Sequence, residues 1–174
     1  MSGIIGAGAV SSSGVIGKYP SGHVIQTTTV NTGYTSQTIS GWTDTPITTS
    51  IIPKSTNSKI LVFASWITYV HDTGSDHGYI FRFKKVDAGG TTYPAHLYDY
   101  DGAGAYYASR YQNIATGDAA LKYYFNGQDD QSTTAVGDTA TYTLNMEGYG
   151  ISNTFWAGGG HNSQWTIFLQ EVQV

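Results

Sequence analysis

Apolar and polar positions alternate along most of the chain, which is the pattern of half-buried β-strands, and no segment has the 3.6-residue period of an amphipathic helix. The alternation predicts strands at residues 24–30, 79–86 and 165–174, with Phe81 and Phe83 on one face of the second. At residues 139–148, Tyr142, Leu144 and Met146 alternate with Thr141, Thr143, Asn145 and Glu147. We therefore expect a strand there with one exposed face.

Residues 59–70 give the strongest strand prediction, because apolar side chains fall on both of its faces. One face carries Ile60, Val62, Ala64 and Trp66, and the other carries Leu61, Phe63, Ile67 and Tyr69. A strand with this pattern is expected in the centre of a sheet, with both faces covered. In a sandwich, one cover would be the second sheet and the other a neighbouring subunit.

Turn residues divide the rest of the chain into short pieces. Residues 53–58 form a predicted loop, residues 87–90 a predicted hairpin turn, and residues 71–78 and 156–163 further loops. More strands are predicted at residues 39–52 (two strands broken by Gly41 and Pro46), 91–98, 106–114 and 121–125, and Pro94 marks an edge or a bulge. About ten short strands without a helix predict an all-β fold, an antiparallel β-sandwich or jelly roll.

The first 22 residues differ from the predicted β-sandwich body at residues 23–174. They contain two similar pieces, Ser2-Gly3-Ile4-Ile5-Gly6 and Ser13-Gly14-Val15-Ile16-Gly17. These pieces are too rich in glycine for a helix, and without a basic start they do not match a secretion signal. One interpretation is a disordered terminus. The other is an extended arm that buries Ile4, Ile5, Val15 and Ile16 against another subunit.

Composition narrows the possible functions. Charged residues make up 11% of the chain, against about 25% in an average globular protein. The 8 Lys and Arg residues are scattered, so we expect no nucleic-acid binding. No apolar run is long enough for a membrane helix, and without cysteine the chain has no disulfide or thiolate chemistry.

Two short segments contain possible metal ligands. His71, Asp72, Asp76 and His77 are of the types that bind zinc, and Asp99 and Asp101 resemble a fragment of a calcium loop. Neither segment provides a complete ligand set, so polar loops are the preferred interpretation and we expect no metal or cofactor. The chain also has no nucleophile elbow, phosphate-binding loop or dinucleotide fingerprint, and just two glutamates, Glu147 and Glu171. We therefore expect no enzymatic activity.

Aromatic side chains provide the other functional signal. Five tyrosines crowd one region and a tryptophan precedes a glycine-rich segment: Tyr98, Tyr100, Tyr106, Tyr107, Tyr111 and Trp156. Tyrosine and tryptophan are frequent in protein interfaces and also stack on sugar rings. These residues are therefore candidates for a subunit interface, for a glycan contact, or for the core of the sandwich.

Three segments together resemble small virion proteins of tailed bacteriophages, especially those of marine and freshwater hosts. They are the two glycine-flanked pieces of the arm with the following Tyr19-Pro20-Ser21-Gly22, the pattern I-x-P-x-S-x-x-S-K-I-L-V at residues 51–62, and the closing strand at residues 165–172. Residues 71–160 contain no motif of this group.

The resemblance implies a homotrimeric β-sandwich on the exterior of a phage particle. It favours a head decoration (cement) protein that contacts the major capsid protein through the arm. The alternative is a short tail fibre or spike that recognises a host glycan through exposed aromatic side chains.

Overall fold

The computed structural model describes residues 20–32, 35–39, 41–72, 78–94, 117–130, 134–149, 153–157 and 165–174. This part of the chain is all-β, with two antiparallel sheets and no helix. Its strands are β1 (Val24–Thr32), β2 (Thr35–Ile39), β3 (Thr43–Ile51), β4 (Ser58–Asp72), β5 (Gly78–Asp87), β6 (Gly90–Thr92), β7 (Gly117–Asp129), β8 (Ala140–Tyr149), β9 (Asn153–Ala157) and β10 (Trp165–Gln173).

Sheet A is built around β4, the strand with two apolar faces. β7 pairs with one edge of β4 from Ile60 to Asp72. The other edge is shared by β10, opposite Ser58 to Ser65, and by β9, opposite Thr68 and Tyr69. β1 and β2 complete the sheet by pairing with β10 and β9. The predicted central position of β4 is therefore confirmed.

Sheet B has the strand order β3-β8-β5-β6. β5 and β6 form the predicted hairpin, and the backbone N–H of Gly89 donates to Asp87 Oδ1 at 2.9 Å across the turn. Gly90 follows with a φ of 112°, a conformation that a residue with a Cβ rarely adopts. The second glycine of the turn thus has a direct conformational reason.

The hydrophobic core lies between the two sheets, so the fold is sandwich-like. Strands β3, β4, β5, β8 and β10 all contribute alternate side chains to it. Its buried apolar residues are Ile47, Ile51, Ile60, Val62, Ala64, Trp66, Phe81, Phe83, Ala140, Tyr142, Leu144, Met146, Trp165, Ile167 and Leu169. Trp66 and Phe81 meet edge to face across the core, with ring centroids 5.1 Å apart. Full burial of one large apolar side chain contributes about 1.5–3 kcal/mol, so this set supplies much of the driving force for folding.

The bounds of several strands differ from the sequence prediction. β4 continues to Asp72, because β7 pairs with it over that length. β6 ends at Thr92, two residues before Pro94, whose nitrogen cannot donate a ladder hydrogen bond. Trp156, predicted at the start of a loop, lies in β9. The strand predicted at residues 106–114 lies outside the described residues.

The predicted exposed face of β8 is the clearest error, since Thr143 and Asn145 are both buried. The cause is the position of β8 between β3 and β5, whose side chains extend over it. Thr48 and Thr143 share a hydrogen bond of 2.9 Å between their hydroxyls, and Arg82 Nε donates to Asn145 Oδ1 at 2.8 Å. The alternation of apolar and polar residues predicts the direction in which a side chain points. It does not predict whether side chains of the neighbouring strands cover it.

The predicted arm falls mostly outside the described residues, which begin at Pro20. The end of this segment is tied to the last strand: the Gly22 N–H donates to the Gln173 carbonyl at 2.8 Å, and the Gln173 N–H donates to the His23 carbonyl at 2.9 Å. The junction between arm and body therefore lies beside the carboxyl end of β10.

Candidate interaction surface on sheet A

The outer face of sheet A, on the side away from the core, carries a group of apolar and aromatic side chains. This aromatic patch consists of Leu61 and Phe63 on β4, Tyr124 on β7 and Phe168 on β10. The rings of Phe63 and Phe168 lie 5.5 Å apart at their centroids. Phe63 is 38% exposed and Tyr124 is 72% exposed. Strand alternation produces the patch, because each member is next to a residue that points into the core.

Uncharged polar side chains surround the aromatic patch. They point outward in register with it and consist of Thr27, Thr29, Asn31, Ser65, Asn126, Gln128, Thr166 and Gln170. Charged groups stand at the ends of this face: Lys59 and Asp130, 3.6 Å apart, at one end, and Lys122, over the Tyr124 ring, at the other. The middle of the described face is therefore apolar at its centre, polar at its rim and without formal charge.

The size of this face approaches that of a protein interface. β10 lies beside β4 from Ser58 to Ser65, which is about 26 Å at roughly 3.3 Å per residue, and the four strand positions of β1, β10, β4 and β7 span about 19 Å. The resulting area of roughly 500 Å² is more than half of the ~800 Å² that each partner buries in a standard interface. An apolar centre, a polar rim and few charges are the usual anatomy of such interfaces.

The outer face of sheet B has a different character. The Arg82 guanidinium lies between the rings of Trp42 and Tyr93, 3.7 and 3.8 Å from their centroids. Asn145 accepts a hydrogen bond from Arg82 and donates to Asp44 Oδ1 at 2.8 Å. These polar groups satisfy one another within the chain. Of the two outer faces that the structure describes, that of sheet A is therefore the one with an uncharged apolar centre.

A buried cluster of ionisable groups, formed by Lys85, Asp87, Asp129 and Tyr142, links the two sheets. Lys85 Nζ on β5 donates to Asp129 Oδ2 on β7 at 2.8 Å and lies 3.5 Å from Asp87 Oδ2. The Tyr142 hydroxyl on β8 donates to the same Asp129 oxygen at 2.6 Å. Lys85 is 1% exposed and Asp129 is 5% exposed. Burial raises the pKa of Tyr142 far above its ordinary value, and the neighbouring Asp129 carboxylate raises it further.

Sequence reasoning missed this cluster, although part of its signal was visible. Lys85 is in phase with Phe81 and Phe83 along β5, so it points into the core as they do. A lysine that points to the same side as buried aromatic residues is expected to pair with a buried acid. Asp129, 44 positions away in sequence, could not be identified as that acid without the fold.

A second buried charge, Glu171, was noted in the sequence for its rarity alone. It lies on β10 and is fully buried. Its carboxylate accepts hydrogen bonds from the backbone N–H groups of Lys54 (2.9 Å) and Ser55 (3.0 Å), from the Ser58 hydroxyl (2.7 Å) and from the Gln26 side-chain amide (2.6 Å). The carboxylate thereby fixes the loop between β3 and β4 to the last strand.

This contact joins two of the three segments that carried the resemblance to virion proteins. The motif at residues 51–62 provides the loop and the serine hydroxyl, and the closing strand provides Glu171. Both segments therefore contribute to one structural anchor, whose polar groups satisfy each other and offer no reactive group to a ligand.

Most residues singled out from the sequence lie outside the described part of the chain. These are Ile4, Ile5, Val15, Ile16, His77, Tyr98, Asp99, Tyr100, Asp101, Tyr106, Tyr107 and Tyr111. Trp156 lies in β9 opposite Ser36 and Tyr69, and His71 lies in β4 opposite Asp118. Among the described residues, no three His, Asp or Glu side chains are grouped in a way that could hold a metal ion.

No protein-family model matches the chain, and no curated protein matches it. In the described ranges, no helix is long and apolar enough to cross a membrane.

Proposed function

We propose that this protein is a homotrimeric structural protein of a bacteriophage virion, a head decoration protein that clamps neighbouring capsid subunits from outside. The uncharged aromatic patch on sheet A is the observation that carries the proposal, because it gives the chain a surface for its own copies. The resemblance of the arm and the two body motifs to phage virion proteins supplies the setting.

The strand connections support a jelly roll within this proposal. Along the chain, β2, β4, β7 and β9 belong to sheet A, and β3, β5 and β8, which alternate with them, belong to sheet B. Repeated crossing between two sheets is typical of jelly rolls, a fold used by viral capsid proteins and by lectins. The fold alone does not define a function, so the surfaces remain the main argument.

A second copy of the chain suits the aromatic patch better than a charged partner does. The chain has a net charge of −4, yet the middle of the outer face of sheet A contributes none of it. Copies of this face arranged around a three-fold axis can approach without like-charge repulsion and bury Phe63, Tyr124 and Phe168 together. Three copies follow from the resemblance, in which trimers are common.

The clamp acts through interfacial free energy and needs no chemistry. A protein bound across a junction between capsid subunits adds its binding free energy to the cost of separating them. Three arms in one trimer bind with a high effective concentration, so modest contacts from each arm sum to tight attachment. In this proposal Ile4, Ile5, Val15 and Ile16 provide the apolar contacts of each arm.

A charge placed in the aromatic patch should separate the trimer. We expect the wild-type chain to sediment as a trimer at micromolar concentration and Phe63→Lys to sediment as a folded monomer, because the lysine would have to be buried without a partner. Val86→Lys is the matched control: Val86 is also 38% exposed, but it lies on the outer face of sheet B. A monomeric wild type, or a trimeric Phe63→Lys variant, would contradict this assignment.

Removal of the apolar side chains of the arm should weaken the particle. Phage particles carrying Ile4→Ser, Ile5→Ser, Val15→Ser and Ile16→Ser together should release DNA at a lower temperature than unmodified particles. The loss of four buried aliphatic side chains, each worth about 1.5–3 kcal/mol, is the physical reason. Release of DNA is followed by dye fluorescence during heating.

The control for this experiment is the paired change Ala7→Ser and Ala9→Ser, which alters the same arm with little loss of apolar area. The control particles should release DNA at the unmodified temperature. If the four-serine particles also do so, and adsorption to the host falls instead, the clamp is wrong and a tail fibre or spike that binds a host glycan is favoured.

A further inference from the structure

The buried cluster holds the two reactants of an amide bond in contact. Lys85 supplies a primary amine and Asp129 a carboxyl group, and both are almost completely excluded from water. We propose that Lys85 Nζ and Asp129 Cγ form an intramolecular isopeptide bond that links sheet B to sheet A. This inference goes beyond the proposed function and does not depend on it.

The distances place the two groups close to reaction. Nζ lies 2.8 Å from Asp129 Oδ2, and Cγ is one bond further away. Nζ therefore lies between about 3.1 and 4.1 Å from Cγ, a span that overlaps the near-attack range of ~3–3.5 Å. Both residues lie on strands, β5 and β7, which hold the reactants in place, and such positioning contributes much of the rate of an intramolecular reaction.

The step requires a neutral amine and a neutral carboxylic acid. One proton leaves Nζ and ends on Asp129 Oδ1, the carboxyl oxygen that Tyr142 does not hold. The amine then has a free electron pair, and the acid has a hydroxyl group that can leave.

The remaining members of the cluster are placed to assist. The Tyr142 hydroxyl donates to Asp129 Oδ2 at 2.6 Å, so it stabilises the negative charge that develops on this oxygen when nitrogen attacks Cγ. Asp87 Oδ2 lies 3.5 Å from Nζ and its side chain is fully buried. This carboxylate takes a proton from the attacking nitrogen and returns it to the departing oxygen, so it acts as general base and then general acid.

The reaction balances within the chain. The Nζ–Cγ bond forms, and the bond from Cγ to the carboxyl oxygen not held by Tyr142 breaks. One proton from nitrogen and the hydroxyl group from the acid leave together as water, and Asp87 ends in its starting state. The step needs no oxidant, metal or other reagent. Its product is an amide across the sandwich, between residues 44 positions apart.

Intact mass spectrometry of the full chain under denaturing conditions tests the proposal. We expect a mass lower than that of the sequence by one water, and proteolysis should release a branched peptide that joins Lys85 to Asp129. Lys85→Arg, which keeps the charge but cannot form the bond, should have the mass of its unmodified sequence. Asp87→Asn, which retains both reactants, should fold and remain mostly uncrosslinked.

Two results would overturn the proposal. The first is a wild-type mass equal to that of the unmodified sequence, which decides the matter even if the variants fail to fold. The second is a mass lower by one water that returns to the unmodified value in mild alkali, or that is found although proteolysis releases no branched peptide. That result would identify a cyclic imide at an Asp-Gly sequence such as Asp101-Gly102.

Discussion

Replacement of Glu171 by alanine should lower the free energy of unfolding by about 3–5 kcal/mol. The Glu171 carboxylate is fully buried and accepts hydrogen bonds from two backbone N–H groups, a hydroxyl and an amide. Each donor that loses its partner away from water costs about 1–3 kcal/mol. The loop between β3 and β4 would also lose its attachment to β10. Urea denaturation at a fixed protein concentration measures the change.

Two further variants separate the contribution of the carboxylate to the free energy of unfolding from that of the loop. Lys54 contributes its backbone N–H to Glu171 and its side chain is exposed, so Lys54→Ala should change stability by no more than about 0.5 kcal/mol. Glu171→Gln keeps the shape and one acceptor oxygen but turns an NH₂ group toward other donors, and it should fall between the two. An alanine variant within 1 kcal/mol of the wild type would show that the loop holds its position without the carboxylate.

The hydrogen bonds between Glu171 and the loop between β3 and β4 also give a structural reason for two of the segments that carry the resemblance. The motif at residues 51–62 and the closing strand are far apart in sequence, yet both are needed to bury one carboxylate with every donor satisfied. Such a device stabilises a fold and carries no information about a receptor or a position on the particle. The choice between head decoration and tail fibre therefore has to come from the outer face of sheet A and from the arm.

Alternation in the sequence was sufficient to assign the main strands and their inward faces. The buried residues Ile60, Val62 and Trp66 occupy the predicted face of β4, and the hairpin turn falls at the predicted glycines. The predictions were least accurate where strand pairing decides the outcome. Pairing between β4 and β7 makes both strands longer than predicted, and side chains of the neighbouring strands cover β8. A local sequence pattern contains neither effect.

The candidate sites were harder to predict than the strands for the same reason. The pattern of residues 59–70 correctly placed Leu61 and Phe63 on the face of β4 that points away from the core. Their partners Tyr124 and Phe168 join them through the registers of β7 and β10 with β4, which sequence does not reveal. Local crowding of tyrosines pointed instead to residues 98–111, which lie outside the described residues.

The stability of the protein should fall steeply in alkali because of Tyr142. In the unfolded chain a tyrosine ionises near pH ~10. In the folded protein, burial raises the pKa of Tyr142 far above that value, so the phenol stays protonated. Above pH ~10 the unfolded state therefore binds fewer protons than the folded state, and the free energy of unfolding falls by about 1.4 kcal/mol per pH unit. Below pH ~10 both states are protonated and this contribution is constant.

Tyr142→Phe isolates the effect from the other titrating groups. At pH 8 this variant should be less stable than the wild type by about 1–2 kcal/mol, because the hydrogen bond to Asp129 is lost. Its stability should then decline less steeply, so that the two unfolding free energies, measured by urea denaturation at equal protein concentration, converge and cross near pH ~11. Tyr93→Phe, which removes a hydroxyl from a partly exposed ring on the outer face of sheet B, is the control and should follow the wild-type curve. Parallel curves for the wild type and Tyr142→Phe between pH 9 and pH 11 would mean that the Tyr142 phenol gains access to water before the sandwich unfolds.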